Sequence, residues 1–119
     1  MTLKECYIAM DGNYEDVLNR LCSERLVQKF VLKFLDDKSF DTLCNALNEG
    51  NQQEAFRAAH TIKGMCQNLS FTKLEQSSSL ITETLRGGDI NKAAAQLSRV
   101  QKDYETTVNA IRAFQSELS

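Results

Sequence analysis

His60 is the only histidine in a chain of 119 residues, and the side chains around it set what it can do. A solvated imidazole is largely neutral at pH 7, and its unprotonated ring nitrogen is a nucleophile toward phosphorus. Lys63 follows three residues on, Gly64 four, and Gln67 seven; Phe56 lies four before. Residues three and four apart are neighbours on a helix surface. The Lys63 ammonium therefore reaches the patch around His60 and can neutralise a phosphoryl group there. Gly64 costs roughly 1 kcal/mol relative to alanine in a helix interior. Its missing side chain leaves open space for a partner's loop. Gln67 can donate to a phosphoryl oxygen, and Phe56 is an aromatic anchor for a partner. Singly, each has a plainer explanation: a solvated histidine, a solvated lysine, a packing glycine, an aromatic at the edge of the core. Together on one face they make a phosphate-friendly histidine site.

Other chemistries fit worse. No serine or cysteine has a second histidine to serve it, so a nucleophile–base–acid arrangement is missing. His60 has no carboxylate four residues away on either side, which argues against a metal site. No G-x-x-x-x-G-K-[ST] loop is present, so a phosphoryl group must come from another protein. No cofactor is called for.

The element that positions His60 is an expected helix running to about Leu69. Ala55, Ala59, Ile62, Cys66 and Leu69 alternate at four and three, the spacing of one buried helix face. At 100° per residue, His60 sits about 140° from Ala55 around the axis, so it faces solvent. Asn51 with Glu54 resembles a capping box opening that helix, and Ser70 marks a brief break after it. Upstream, Thr2–Met10 and Tyr14–Leu21 read as short helices around an Asp11-Gly12-Asn13 turn. Ser23 caps a core helix over Glu24–Leu35, with Leu26, Val27, Phe30, Val31, Phe34 and Leu35 along a wide stripe. Ser39 caps a further helix stopped by Gly50. Downstream, Phe71–Arg86 carries Ser78 in its seam and ends at Gly87-Gly88. Asp89 caps a last helix from about Ile90 to Ser116, with Leu97, Val100, Tyr104, Val108, Ile111 and Phe114 inward. Proline is absent and glycines number five, which favours long helices over tight-turned strands. The expected fold is all-α: an antiparallel four-helix bundle with additional short N-terminal helices, one domain over residues 1–119.

A net charge of −2, with bases spread among acids, argues against a nucleic-acid face. No apolar run is long enough for a membrane span. The N-terminus lacks a signal-peptide pattern, so the expected address is cytoplasmic. The length suggests a free-standing protein, and with no clear dimerisation seam a monomer is expected. Cys6, Cys22, Cys44 and Cys66 form no C-x-x-C pair; buried, reduced thiols are expected, with a redox or metal-sensing bundle as the remote alternative.

The string Ala59-His60-Thr61-Ile62-Lys63-Gly64 resembles the A-H-x-[LI]-K-G signature of histidine phosphotransfer (HPt) domains. The likeness extends along nearly the whole chain, through the apolar helix before it, the leucine-rich helix before Gly50, and the L-x-x-L-type helix after it. The resemblance implies a bundle whose exposed histidine relays a phosphoryl group between receiver-domain aspartates in a two-component phosphorelay. It makes His60 the phosphoacceptor through Nε2, Lys63 the stabiliser of the phosphoryl group, and Gly64 the opening for the receiver. It implies a phosphocarrier and not an enzyme, with response-regulator receiver domains and a hybrid sensor histidine kinase as partners. Family members often carry glutamine or glutamate where this chain has Thr82, to hydrogen-bond the other ring nitrogen; Thr82 is shorter. Arg86 matches a basic position seen in some members, which places it toward the phosphate or the receiver. Phe56, Arg57 and Ser79 would belong to the docking face, with Glu75 on the same flank. Members usually have glycine at Ser70, where serine suggests a capping role. The alternative is a pseudo-HPt adaptor that binds receivers or kinases without accepting phosphate; the intact His60 argues against it.

Overall fold

The computed structural model describes residues 1–118. Among them lie seven α-helices and no strand: α1 (Leu3–Ala9), α2 (Tyr14–Leu21), α3 (Glu24–Phe34), α4 (Ser39–Glu49), α5 (Gln52–Leu69), α6 (Thr72–Arg86) and α7 (Ile90–Ser116). Side-chain caps begin most of them. Asn13, Ser23, Asn51 and Asp89 accept from Asp16 N, Leu26 N, Glu54 N and Lys92 N respectively. The reciprocal capping box forms at Thr2 and Glu5 on α1; at Asn51 only the forward bond is made. Ser39 does not cap α4. It is already helical, Lys38 holds the cap position without a side-chain bond, and Asp37 Oδ2 accepts from Ser39 N at 2.8 Å.

Helices α4 to α7 follow one another through short turns, and α4 returns against α7 to close a four-helix bundle. The seam between α5 and α6 is lined by small side chains. Ala55 and Ala59 on α5 and Ser77 and Ser78 on α6 are all buried, so the two backbones can pack closely. The Ser77 and Ser78 hydroxyls spend themselves on Leu74 O, at 3.3 and 2.7 Å, so no polar group is stranded in that seam. Helix α3 is more peripheral than its wide apolar stripe suggests. Only Val27, Val31 and Phe34 are buried, while Leu26 stays 41 % exposed. Phe30, Phe34, Met65 and Leu69 border a groove of about 360 Å³ between α3 and the end of α5.

The two N-terminal helices hold the C-terminal end of α5. Tyr7 is fully buried and its hydroxyl donates to Leu69 O at 2.7 Å. Asn13 N donates to Ser70 O at 2.9 Å, and Arg20 donates to Asn68 O at 3.0 Å and to Ser70 Oγ at 2.8 Å. Ser70 Oγ in turn donates to Asp16 Oδ2 at 2.6 Å. That hydroxyl, and then Arg20, hold the Asp16 carboxyl below its ordinary range. Gly12 admits this close approach, because a Cβ there would lie 2.8 Å from the Tyr7 ring and 3.0 Å from Ser70 O. Ser70 itself adopts a left-handed φ of 58°, which explains why glycine suits this position; here the hydrogen bonds to its side chain and carbonyl hold a serine in it. Tyr7→Phe is expected to cost about 1–2 kcal/mol, the weight of a buried hydroxyl bond whose acceptor is left unpaired. Urea unfolding checks it, as a lower midpoint at unchanged slope.

The cysteines divide differently from expectation. Cys6 and Cys66 are buried, and Cys44 is half-buried, but Cys22 is exposed. Cys22 ends α2 in a left-handed conformation, φ 60°, so its side chain leaves the helix face that would have buried it. Burial pushes the Cys6 thiol up to about 11 and raises Cys66 and Cys44 as well. In the native chain Cys22 is expected to react first with dithionitrobenzoate, Cys44 slowly, and Cys6 and Cys66 only after guanidinium unfolding. Mass mapping of the labelled cysteines checks that order.

Candidate functional site

The buried face of α5 is Ala55, Ala58, Ala59, Ile62, Cys66 and Leu69. Opposite it, His60, Gly64 and Gln67 are exposed, while Phe56 and Lys63 are partly buried. The stripe expected from the spacing is therefore the stripe presented. No side-chain hydrogen bond engages His60 among the described residues. Its neighbour is the Phe56 ring, 5.8 Å between centroids and tilted by 48°. Around Gly64 none of the described residues lies within 4 Å of where a Cβ would sit, apart from its own helix. Gly64 is thus not a packing contact; it opens onto solvent one turn beyond His60.

Helix α6 returns antiparallel along one side of α5 and brings its own flank to the site. Arg86 comes over the Phe56 ring, with its guanidinium carbon 5.0 Å from the ring centroid, and pairs through Nε with Glu83 at 3.1 Å. The sequence pointed to Phe56 and Arg86 separately but not to their contact. They are far apart in sequence and meet only because the Ser70 turn reverses the chain. Ser79 is partly buried on the same helix. Arg57 lies on the other side of α5, exposed, at 3.8 Å from Glu54. An exposed pair at that distance contributes little to stability and leaves the guanidinium free to move.

Thr82, which stands where the resemblance puts a partner for the other ring nitrogen, turns its hydroxyl elsewhere. It is fully buried, and its hydroxyl donates to Ser78 O at 2.6 Å, back along its own helix. A β-branched side chain of that length satisfies itself on the preceding turn before it can reach across to His60. The ring of His60 is left exposed, without a side-chain hydrogen bond among the described residues.

The site as a whole is a solvated imidazole with cations at Lys63, Arg57 and Arg86 and a side-chain-free gap beside it. It has no group of three or more His, Cys, Asp or Glu placed to hold a metal ion among the described residues. Its chemistry is that of a nucleophile offered outward to a partner, with positive charge ready for an incoming anion.

Comparison with curated proteins found no match, and neither did comparison with solved structures. A family model for the Hpt domain matches residues 25–113. That stretch takes in nearly all of α3 and α7 and everything between them, including the whole exposed stripe of α5, and leaves outside it the α1–α2 pair that clamps the end of α5. With the match extending over well more than half of its length, the chain belongs to the Hpt domain family.

Proposed function

We propose that this protein relays a phosphoryl group between receiver-domain aspartates, with His60 as the phosphoacceptor. Hpt domains are phosphocarrier modules of phosphorelay signalling. The observation that carries the finer reading is the pairing of an outward, unencumbered His60 with open space at Gly64 one turn away. In the proposed step the His60 Nε2 lone pair attacks phosphorus of a receiver's aspartyl phosphate. The phosphorus–oxygen bond breaks, the aspartate leaves as a carboxylate, and a phosphorus–nitrogen bond forms. The proton of the imidazole stays on Nδ1. The reverse sequence loads a second receiver. Lys63 offsets the charge of the phosphoryl group on the histidine. The docking face is the exposed stripe from Phe56 to Gln67, with Arg57 beside it and Ser79 and Arg86 contributed by α6. Such a carrier needs only a small and transient interface.

Among the described residues no helix is long and apolar enough to cross a membrane. The proposed partners are receiver domains of response regulators and of a hybrid histidine kinase. Incubation with a panel of labelled phospho-receivers is the test. Label is expected to move to this chain from at least one of them, in an acid-labile, base-stable form. Tight binding with no label transferred from any member would replace the carrier with a docking adaptor.

A further inference from the structure

A nucleophilic imidazole must hold its attacking nitrogen along one direction while a partner docks. A hydrogen bond to the second ring nitrogen commonly does this. Here that device is absent among the described residues: His60 makes no side-chain hydrogen bond there, and the Thr82 hydroxyl is committed to Ser78 O. What the ring does have is a tilted contact with Phe56, which is itself covered by Arg86. Arg86 lies 5.0 Å over the Phe56 centroid, and Phe56 lies 5.8 Å from the His60 centroid. Glu83 steadies Arg86 from the side, at 3.1 Å. Phe56 is itself half-buried against the core, so the ring that touches His60 is anchored on two sides.

Resting on His60 as phosphoacceptor, we infer that Arg86 is a positioning residue: through the Phe56 ring its guanidinium fixes the orientation of the His60 imidazole in place of a hydrogen bond. Arg86 then acts without touching the phosphate, one ring removed from the nitrogen that reacts. The Phe56 contact constrains the plane of the imidazole and occupies neither ring nitrogen with a hydrogen bond among the described residues. Its contribution is to the fraction of time the ring is correctly aimed.

A small phosphodonor separates this from docking. With phosphoramidate, His60 Nε2 takes the phosphoryl group, the phosphorus–nitrogen bond of the donor breaks and ammonia leaves; no receiver is involved. Arg86→Gln is expected to slow that labelling about two- to fivefold, the weight of an exposed cation–π contact. Arg86→Lys restores part of the rate. In proton–carbon spectra of the unphosphorylated chain, the His60 ring protons of Arg86→Gln move toward the position of a histidine with no ring beside it. Phe56→Leu produces the same losses, and adding Arg86→Gln to it changes nothing further. Unchanged His60 ring shifts in Arg86→Gln overturn the inference. So does an additive double variant, or a loss seen only with receiver donors, which would leave Arg86 a docking residue alone. A wild-type chain that accepts label from neither phosphoramidate nor any receiver defeats the phosphoacceptor reading instead, while the ring shifts still decide whether the Phe56 contact orders His60.

Discussion

The His60→Gln chain is expected to fold as the parent does and to accept no phosphoryl group above background from any donor that labels the parent. Both halves follow from the same geometry. His60 is exposed and makes no side-chain hydrogen bond among the described residues, so its removal forfeits only a tilted contact with Phe56. Surface changes of that kind fall within about 0.5 kcal/mol. Glutamine keeps a polar side chain of similar reach, so the helix surface stays hydrated. What it lacks is the nucleophile. An amide nitrogen has its lone pair delocalised into the carbonyl and does not attack phosphorus. The chain carries no second histidine to substitute. The measurement pairs urea midpoints with gel autoradiography of parent and variant. Acid-labile, base-stable label on the glutamine chain would falsify His60 as acceptor. A collapsed midpoint would mean that His60 is a structural residue after all.

Where sequence and structure agree, the agreement comes from periodicity against a core. The inward set on α5, the outward position of His60, the span of α2 and the stops at Gly50 and Gly87 all depend on neighbours within a turn or two. Where they part, the deciding contact lies elsewhere in the chain or within a single residue's backbone. Cys22 leaves its helix face because one residue turned left-handed. Leu26 stays exposed because it lies off the Val27, Val31 and Phe34 face by which α3 is buried, which its own pattern cannot reveal. Thr82 is level with the site, yet its hydroxyl closes on Ser78 O. A residue's position on a helix wheel does not say which of two acceptors it will choose. The contact of Arg86 with Phe56 needs the register of α6 on α5, which the Ser70 turn sets and which no local spacing encodes. The clamp by Tyr7, Asn13 and Arg20 on the end of α5 is hidden for the same reason.

Stability and phosphotransfer are expected to move in opposite directions at Gly64. Among the described residues nothing but its own helix lies within 4 Å of a Cβ built there, so a side chain adds no clash with them. Gly64→Ala then gains helix propensity, about 1 kcal/mol, mostly by restricting the unfolded chain. For a chain of this size that is a rise in Tm of about 4 °C. Gly64→Gln gains somewhat less and projects a long side chain into the space one turn from His60. A receiver that must bring its aspartyl phosphate to Nε2 would be held back by an ångström or more. Misplacement on that scale lowers the transfer rate about a hundredfold. Phosphoramidate is small enough to reach His60 past the new side chain, so its labelling is expected to change little. The contrast between donors is what separates blocked access from damaged chemistry. If Gly64→Gln loses stability, the glycine is serving packing within the chain, against the open surroundings seen here. If it gains stability and still takes label from the receiver at the parental rate, the partner does not approach over Gly64. The docking face would then have to shift along the stripe toward Phe56, away from the gap the fold leaves open.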